Sequence, residues 1–513
     1  MASMTAAVAS TDPRTGQVVE TVAHEFTPDE VDARCRTAAA AAAALDAAGP
    51  AGRARMLRAM ADELEADADA IVALADRESA LGSTRLRGEL ARSSFQLRLF
   101  AGVLDDGGYL GVIIDHADPD AVPLPRPDLR RMLAPLGPVA VFGASNFPLA
   151  FSVPGGDTAS ALAAGCPVVV KAHPAHPATA QRCAQVLRAG TVTAGLSADV
   201  LGLVHGERAG ADLVRHPAIR AVGFTGSLRG GRALFDLAGS RPDPIPFYGE
   251  LGSLNPVVIT AAAAAERADE IAAGLLASYT NGVGQFCTKP GLVFVPAGVS
   301  GRRIRDGLAS GTRDYQPTAM LAERIRDAYR AGADQRATLP GVDVLAESAA
   351  PDGTGFLAAA RLLGVPAHVL REDTVRTMLF DECFGPLTVL VEYADDAQLG
   401  ELLAQLPGSL TATIHAGAQE SPRGQVDVLR QRAGRIVWNG YPTGVAVAWA
   451  TQHGGPYPSS TDSRSTSVGA VAIERWLRPI AYQSTPDAML PPALQESNPW
   501  RLPRRVDGVL ETP

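Results

Sequence analysis

The sequence predicts an α/β protein built on two open parallel sheets, and three observations indicate this class. Short β-branched runs that are apolar throughout alternate with alanine-rich helical stretches, as parallel strands covered by helices do. A chain of 513 residues exceeds one ordinary core, so we expect two or three domains. Polar residues that could carry chemistry follow predicted strands, where open parallel sheets bind ligands.

The chain opens with predicted helices. The segment TPDE at 27–30 offers an N-cap, a proline in the first turn and a glutamate at the capping-box position. We therefore expect a helix that ends near Leu45. A second helical run is predicted over 51–81.

The first α/β block is predicted over 138–260. Its helices are expected at 157–164 and 178–187, and its strands are PVAVFGAS, PVVVKAHP, VLGLVHG, AVGFTGS and NPVVIT. Four polar residues directly follow such strands: Asn146, Lys171, Arg208 and Ser227. Packing alone does not require that coincidence, so we expect a ligand site at the carboxyl edge of this sheet.

A second α/β block follows from about Leu251 to Gly440, with GLVFVPAG, FGPLTVLVEY and LTATIHAG as its strands. The proline-rich segment 115–137 is predicted to leave the core. The tail after 463 carries Trp476 and Trp500 and is predicted to contact another subunit, or else to cover this chain's own core. The expected division is a first domain over 1–114 and 138–250, a second over 251–462, and bridging segments at 115–137 and 463–513.

Composition excludes several classes of protein. The net charge of -9 is dispersed and forms no basic stripe, so nucleic acid is not expected as a partner. The amino terminus has no charged and then apolar leader, and no apolar run reaches the ~18–20 residues that span a bilayer. We therefore expect a cytoplasmic protein without a membrane partner.

The cysteines and histidines predict neither a disulfide framework nor a metal site. The five cysteines lie far apart without a CxxC pair, and their number is odd. His173 and His176 each precede a proline, which disfavours the shared helical face that two metal ligands would need.

Lysine is nearly absent: of 46 basic residues, only Lys171 and Lys289 are lysines. A lysine is a compact ammonium where arginine is a wide fork, so these two are expected at sites that need the smaller charge, unless compositional bias left them by chance. Lys289 lies two residues after Cys287 in NGVGQFCTKPG. Glycines surround that cysteine, and this thinly covered backbone suits a reactive thiol better than a packing one.

Six segments resemble the aldehyde dehydrogenase superfamily in order and spacing, over most of the chain: FGASNFPLAF, VVVKAHP, GFTGS, ELGSLNP, GQFCTKPG and ECFGP. The variants KAHPAHP, PFYGELGSLNP, VWNGYPTGV and HGGPYPSSTDSRSTSVG are further similar to the branch of NADP-preferring 2,5-dioxopentanoate (α-ketoglutaric semialdehyde) dehydrogenases and bacterial fatty aldehyde dehydrogenases. The resemblance implies that the first domain is a Rossmann-like NAD(P)-binding domain, the second is catalytic, and the bridging segments form a small oligomerisation arm.

The resemblance implies three catalytic residues. Cys287 is expected to be the nucleophile, and because only the thiolate attacks a carbonyl well, its surroundings, including Lys289, should lower its pKa. Asn146 and the backbone N–H of Cys287 are expected to hold the oxyanion. Glu250, between glycines in YGELG, is expected to be a mobile general base with a raised pKa.

The cofactor residues come from the same resemblance. Gly226 and Ser227 begin a helix whose free N–H groups can bind a pyrophosphate. Lys171 is expected at the adenosine ribose. Pro174 stands where NAD-preferring relatives often carry a glutamate, and Arg208 is either a phosphate partner or an ordinary surface charge. These residues favour NADP, with NAD possible.

Other residues of the matching motifs are expected at the nicotinamide and at the substrate. In ECFGP, Glu382 is expected to hold the nicotinamide ribose, and Phe384 is assigned to the cofactor with it. Phe147 is expected at the substrate. His453 either tunes Cys287 or is structural.

The predicted reaction is NAD(P)-dependent oxidation of an aldehyde to a carboxylate, with 2,5-dioxopentanoate as the favoured substrate and 2-oxoglutarate as its product. A dianionic product fits a site with an extra positive group, which Lys289 or Arg464 is expected to supply. The alternatives are a medium- or long-chain fatty aldehyde dehydrogenase, a cysteine hydrolase with a histidine base, and a catalytically silent binding protein on the same fold. The partners expected are a small aldehyde and further copies of the chain, as a homo-dimer or homo-tetramer.

Overall fold

The computed structural model of the protein describes residues 6–349 and 352–512. Its strands are β1 (Ala7–Asp12), β2 (Gln17–His24), β3 (Val112–Asp115), β4 (Leu129–Pro135), β5 (Val139–Phe142), β6 (Val168–Lys171), β7 (Leu201–Val204), β8 (Ala221–Thr225), β9 (Phe247–Glu250), β10 (Val257–Ile259), β11 (Leu292–Pro296), β12 (Asp343–Glu347), β13 (Arg361–Pro366), β14 (Leu387–Tyr393), β15 (Ser409–His415), β16 (Ala433–Trp438), β17 (Leu477–Gln483), β18 (Arg504–Val506) and β19 (Val509–Glu511). Its α-helices are α1 (Pro28–Ala47), α2 (Gly49–Ala66), α3 (Ala68–Ser79), α4 (Ser83–Asp106), α5 (Gly156–Ala164), α6 (Pro177–Thr193), α7 (Glu207–Arg215), α8 (Leu228–Gly239), α9 (Ala261–Thr280), α10 (Val299–Asp314), α11 (Glu323–Ala337), α12 (Asp373–Leu379), α13 (Asp396–Leu403) and α14 (Arg423–Leu429). Residues 1–5 of the predicted first domain and residue 513 of the predicted tail lie outside the described residues.

The amino-terminal helices follow the sequence prediction with one correction. α1 begins with a capping box in which Thr27 and Glu30 bond each other's backbone N–H groups, as predicted. The single run predicted over 51–81 is two helices, α2 and α3. They separate at Asp67, which has non-helical dihedral angles and accepts hydrogen bonds from Arg182 of α6. None of the described helices is long and apolar enough to cross a membrane.

The first sheet has five parallel strands in the order β7-β6-β5-β8-β9. The winding direction reverses between β5 and β8, and open sheets bind ligands at such a point. The NPVVIT strand was wrongly included in this block, because β10 pairs with β11 and β15 of the second sheet. An apolar run shows that a strand is buried on both faces and does not show which sheet it joins.

The second sheet has seven strands in the order β12-β13-β14-β11-β10-β15-β16. All neighbouring pairs are parallel except β12 and β13. The three strands predicted for this block are present as β11, β14 and β15. The two sheets confirm the predicted α/β class.

A third sheet joins the segment 115–137 to the tail. β4 pairs antiparallel with β17, and β3, which begins at Val112, pairs in parallel with β18. Trp476 corrects the prediction of an intersubunit contact, because its indole is fully buried within this chain and donates a hydrogen bond to Ser160 Oγ at 2.8 Å. Trp500 is exposed.

Candidate active site

The loop that carries Cys287 lies between α9 and β11 and is fixed by its neighbours. Asn255 donates from Nδ2 to the carbonyls of Cys287 and Lys289, at 2.8 and 3.0 Å. Gly284 has a φ of +66°, and a Cβ there would lie 2.2 Å from the carbonyl oxygen of Gly385. A glycine is therefore required where the thiol loop approaches the ECFGP segment.

The Cys287 thiol lies beside a histidine and a carboxylate. Its Sγ is 3.6 Å from Nε2 of His453, and that same Nε2 is 3.1 Å from Oε1 of Glu250. The three side chains place one ligand-type atom each within 4.8 Å of the others, the only such metal-sized group of His, Cys, Asp and Glu among the described residues. Cys287 is partly exposed, whereas the other four cysteines are buried.

The environment of the thiol contradicts the prediction of a lowered pKa. Burial raises the pKa of Cys287 well above its ordinary value, and the charge and hydrogen bond of Glu250 raise it further. The cation that lowers the pKa of this thiol is Arg92, not the predicted Lys289. The prediction failed because it considered only neighbours in the sequence, and the dominant charge comes from a distant segment.

Glu250 also differs from its prediction. It ends strand β9 and forms a bridge with Ser460, so its backbone belongs to the sheet edge rather than to a free loop. Burial raises the pKa of this carboxyl, but the His453 charge and hydrogen bonds from His453 and Ser467 outweigh burial, and the pKa lies below its usual value. Ser467 Oγ donates to Oε2 at 2.7 Å.

His453 is buried and held through its own backbone. Its N–H donates to Thr466 Oγ1 at 2.9 Å, and its carbonyl accepts from Ser467. Its Nδ1 has no hydrogen-bond partner among the described residues. The imidazole therefore meets both Cys287 and Glu250 through one nitrogen.

Asn146 follows β5 and is buried near the same loop. Its Nδ2 donates to the carbonyl of Gln285 at 2.9 Å, two residues before Cys287. Its own carbonyl accepts a hydrogen bond from Arg85 of α4 at 2.8 Å. The side-chain amide thus lies beside the thiol loop, and no other described residue accepts a hydrogen bond from its Nδ2.

An aromatic cluster adjoins the thiol. Phe147 contacts both Phe151 and Phe286, with ring centroids 5.2 Å apart in each pair. The Phe151 ring lies 6.3 Å from that of His453. The predicted substrate residue Phe147 is therefore part of a wall near the thiol.

Two predicted positive groups lie elsewhere. Lys289 is buried and donates from Nζ to the carbonyl of Leu387 at 2.7 Å. Burial lowers its pKa to about 8, and the charges of Cys383 and Glu382 oppose that shift. The Arg464 side chain is 89% exposed and bonds Asp462. Neither position fits the predicted role at the substrate, because a residue's place in a loop does not fix where its side chain packs.

The predicted cofactor residues share the carboxyl edge of the first sheet. Lys171 ends β6, Arg208 lies in the first turn of α7 after β7, and Ser227 caps α8 after β8. Gly226 precedes that cap, and a Cβ there would lie 2.8 Å from the Phe224 ring. Ammonium, guanidinium and free helix N–H groups at one sheet edge form a donor set that fits the phosphates and ribose of a dinucleotide.

Lys171 has both cationic and anionic neighbours. Burial lowers the pKa of its ammonium to about 8, as does the charge of Arg324, while Glu207 and Glu25 oppose the shift. Glu25 accepts a hydrogen bond from the backbone N–H of Arg208 at 2.8 Å. A cofactor phosphate at this edge would therefore lie near Lys171 of the first sheet and near Arg324 of α11, which follows β11 of the second sheet.

Glu382 and Phe384 lie in the loop before β14, and both are partly exposed. Burial raises the pKa of the Glu382 carboxyl to about 7, and the charge of Lys289 opposes that shift. A Cβ on Gly252 would lie 2.8 Å from Oε2 of Glu382, so this carboxylate lies against the segment that follows Glu250.

Several residues at this site were not predicted from the sequence. Asn255 and Phe151 stand inside quoted motifs, and Asn255 has a φ of +53°, a conformation that asparagine adopts more readily than most residues other than glycine. Ser467 also lies in a quoted segment. Arg92 lies in α4, which carries no motif that indicates a role.

The comparison with known families decides the relationship. The family model described as "Aldehyde dehydrogenase family" matches residues 1–478. The chain belongs to the aldehyde dehydrogenase family. Members of this family act on small aldehydes with NAD(P).

Two similar relatives are bacterial aldehyde dehydrogenases. Alpha-ketoglutaric semialdehyde dehydrogenase 2 of Azospirillum brasilense is 47% identical over 486 residues, which cover 94% of this chain and 92% of that protein. Alpha-ketoglutaric semialdehyde dehydrogenase of Acinetobacter baylyi is 42% identical over 488 residues, which cover 95% and 92%. The predicted resemblance to this branch is confirmed.

Solved structures share the aldehyde dehydrogenase fold. An NADP-dependent enzyme of E. coli superposes with a TM-score of 0.76 at 22% identity, over 93% of this chain and 94% of that one. Proline utilization A of Bradyrhizobium japonicum superposes with a TM-score of 0.76 at 24% identity, over 89% and 45%. At this identity the likeness establishes the fold alone.

Proposed function

We propose that this aldehyde dehydrogenase oxidises 2,5-dioxopentanoate (α-ketoglutaric semialdehyde) to 2-oxoglutarate, with NADP preferred over NAD. The observation that carries the proposal is the 47% identity, over 94% of the chain, to a relative named for this substrate. The grouping of Cys287, His453 and Glu250 within 4.8 Å at the thiol loop supports the chemistry.

In the proposed reaction, the Cys287 sulfur bonds to the aldehyde carbon. The thiol proton passes to the Glu250 carboxylate, with which the thiol is hydrogen-bonded, and is released from there to solvent before the hydrolysis step. The side-chain amide of Asn146 and the backbone N–H of Cys287 donate to the oxygen that becomes negative. When bound, the nicotinamide cofactor supplies the hydride acceptor.

Loss of hydride leaves the carbon as a thioester on Cys287, which water must cleave. Glu250 is proposed as the base that takes the proton of this water, because its carboxyl is held in the ionised form by His453 and Ser467. The Cys287 sulfur then leaves as the product carboxylate forms.

The proposed holding residues for the cofactor are those at the carboxyl edge of the first sheet, with Glu382 and Phe384 at the nicotinamide end. NADP is preferred in this proposal because Pro174 offers no carboxylate to repel a 2′-phosphate. Arg208 is exposed in the first turn of α7 and can approach a phosphate.

The alternatives are weaker for physical reasons. A fatty aldehyde dehydrogenase needs an apolar tunnel, and the half-buried guanidinium of Arg92 beside Phe151 argues against one. A cysteine hydrolase triad orients its histidine through the second ring nitrogen, whereas His453 meets Cys287 and Glu250 through Nε2 alone. A silent protein would not need the intact set of Cys287, Glu250 and Asn146.

The test is steady-state reduction of NADP and, separately, NAD with 2,5-dioxopentanoate and a series of unbranched aldehydes. The Cys287→Ala protein is the blank. We expect the highest kcat/KM with 2,5-dioxopentanoate and NADP. A preference for long unbranched aldehydes would favour the fatty aldehyde alternative, and an active Cys287→Ala protein would refute the proposed nucleophile.

A further inference from the structure

Helix α4 directs three charged residues toward the candidate active site. Arg85, Glu89 and Arg92 recur at helical spacing and so share one face. Arg85 donates a hydrogen bond from Nη2 to the carbonyl of Asn146. Glu89 Oε1 accepts hydrogen bonds from the backbone N–H groups of Leu149 and Ala150, at 2.8 and 3.0 Å. Arg85 and Glu89 therefore fix the segment after β5, whereas Arg92 takes no part in these contacts.

Arg92 is incompletely hydrogen-bonded. Its Nη1 donates to the carbonyl of Val445 at 2.7 Å, and its guanidinium carbon lies 5.3 Å from the centroid of the Phe151 ring. Its Nε and Nη2 are buried without a hydrogen-bond partner, and no carboxylate within the described ranges lies within 4.0 Å of its nitrogens. Buried guanidinium nitrogens without hydrogen-bond partners are costly, and a carboxylate is the group that matches the guanidinium's geometry.

The electrostatics link Arg92 to the nucleophile. Burial lowers the pKa of its guanidinium, and the charges of Cys287, Glu89 and Glu250 oppose that shift, with Cys287 the largest of these. An anionic substrate that approaches Cys287 meets the negative charge of Glu250 and Glu382, so its binding needs a cation nearby.

A second arginine supports the same region. Arg435 of β16 donates from Nη2 to the carbonyls of Pro442 and Gly444, at 2.8 and 2.9 Å. Gly444 in turn donates from its N–H to Thr288, the residue after Cys287. The segment 442–445 is therefore held between Arg92 and Arg435 beside the thiol.

We propose that Arg92 binds the carboxylate of the acidic aldehyde while Cys287 attacks the aldehyde carbon at the other end. This inference rests on the proposed function and adds the residue that selects an acidic substrate. Arg435 acts as a positioning residue, because it fixes the segment 442–445 to which Arg92 is bonded. Arg92 of α4 thus supplies the positive group that was expected from Lys289 or Arg464.

The test compares an acidic and a neutral aldehyde of equal chain length, 2,5-dioxopentanoate and pentanal, in the full-length protein. Arg92→Met should lose roughly 100-fold in kcat/KM for the acidic aldehyde, mostly through KM, the scale of a lost charge-assisted hydrogen bond. Its kcat/KM for pentanal should fall by a much smaller factor, because pentanal has no carboxylate to lose and loses only the effect of the guanidinium on the Cys287 thiolate. The matched control is Arg98→Met, on the same helix, whose arginine bonds Asp62 and Glu65 at the surface and should leave both substrates at parental values.

Inhibition by 2-oxoglutarate gives a readout without turnover of the acidic aldehyde. With pentanal as substrate, its inhibition constant should rise roughly 100-fold in Arg92→Met, by the same lost interaction. If the methionine variant does not fold, Arg92→Lys serves for both comparisons, with a loss of roughly tenfold confined to the acidic ligands, because lysine keeps the charge and loses the fork.

The outcomes separate the two proposals. Equal losses for both aldehydes, or unchanged inhibition by 2-oxoglutarate, would overturn the role of Arg92. A parent enzyme that prefers 2,5-dioxopentanoate, together with an Arg92→Met variant that keeps this preference, would overturn the role of Arg92 alone. A parent enzyme that prefers pentanal would overturn the proposed substrate and, with it, the carboxylate role of Arg92.

Discussion

Replacing Glu250 with glutamine should make the Cys287 thiol react faster with an alkylating agent while it slows turnover of aldehyde. The Glu250 carboxylate raises the pKa of this thiol through its charge and its hydrogen bond. Glutamine keeps the shape and removes the charge, so the thiol pKa should fall and more thiolate should be present at neutral pH. Turnover should nevertheless fall, because the proposed base for thioester hydrolysis is lost.

The size of the effect follows from the geometry. The carboxylate oxygen and the sulfur lie within 4.8 Å of each other. At that distance, Coulomb's law gives a repulsion of about 0.9 kcal/mol in bulk water and about 3.5 kcal/mol at an effective dielectric constant of 20. A thiolate of lower pKa is intrinsically less nucleophilic, which offsets about half of the gain on a logarithmic scale. Alkylation at pH 7 should therefore become roughly 2-fold to 20-fold faster.

The assay is the rate of iodoacetamide modification of the Cys287 peptide, followed by mass spectrometry from pH 6 to 9 without cofactor. The buried cysteines Cys35, Cys166 and Cys183 serve as internal references, because burial raises the pKa of each. Glu266→Gln provides a control for loss of a distant carboxylate. If Glu250→Gln were alkylated at the parental rate or more slowly across this range, the assigned coupling of carboxylate and thiol would be wrong.

Three further predictions concern the oxyanion, the cofactor and the core. Asn146→Ala should lower kcat roughly 10²–10³-fold, as loss of one oxyanion donor does, and a kcat within threefold of the parent would contradict its role. Arg208→Ala should raise KM for NADP roughly tenfold and leave KM for NAD unchanged, since only NADP has the 2′-phosphate; equal changes would contradict the assignment. Trp476→Ala should lower the free energy of unfolding by about 3–5 kcal/mol in urea titrations, because it empties a buried site, whereas the exposed Trp500→Ala should change it little; equal effects would contradict the burial of Trp476.

The fold could be predicted further from the sequence than the site could. Apolar runs and a capping box identified most strands of both sheets and α1, because burial on both faces and helix capping are local properties. The assignment of β10 failed because the partner of a strand is a long-range property. The break at Asp67 was not predicted, because the hydrogen bond that Asp67 accepts from Arg182 of α6 joins residues more than a hundred positions apart.

At the site, motifs identified residue types but not their surroundings. Cys287, Glu250 and His453 were each singled out, with His453 as a residue that could tune Cys287, and only the structure shows that one imidazole nitrogen contacts both other groups. Arg92 could not be found from sequence, since an arginine in an amphipathic helix is most often on a solvated face. Lys289 was misplaced because its position two residues after Cys287 does not fix the direction of its side chain.

The two wrong pKa predictions have a common cause. Each treated its group alone, a thiol that needs to ionise and a carboxyl that needs to take a proton. In contact, the two groups compete, and the structure resolves the competition in favour of an ionised Glu250 and a protonated Cys287. A resting thiol in this form is protected from alkylation and oxidation, because the thiolate is the reactive species. Its activation requires transfer of the proton to Glu250, and the nearby guanidinium of Arg92 favours the thiolate once that proton has moved. If Arg92 also binds the substrate carboxylate, that bound carboxylate offsets part of the guanidinium's charge at the thiol, so selection of an acidic aldehyde and stabilisation of the thiolate draw on one cation.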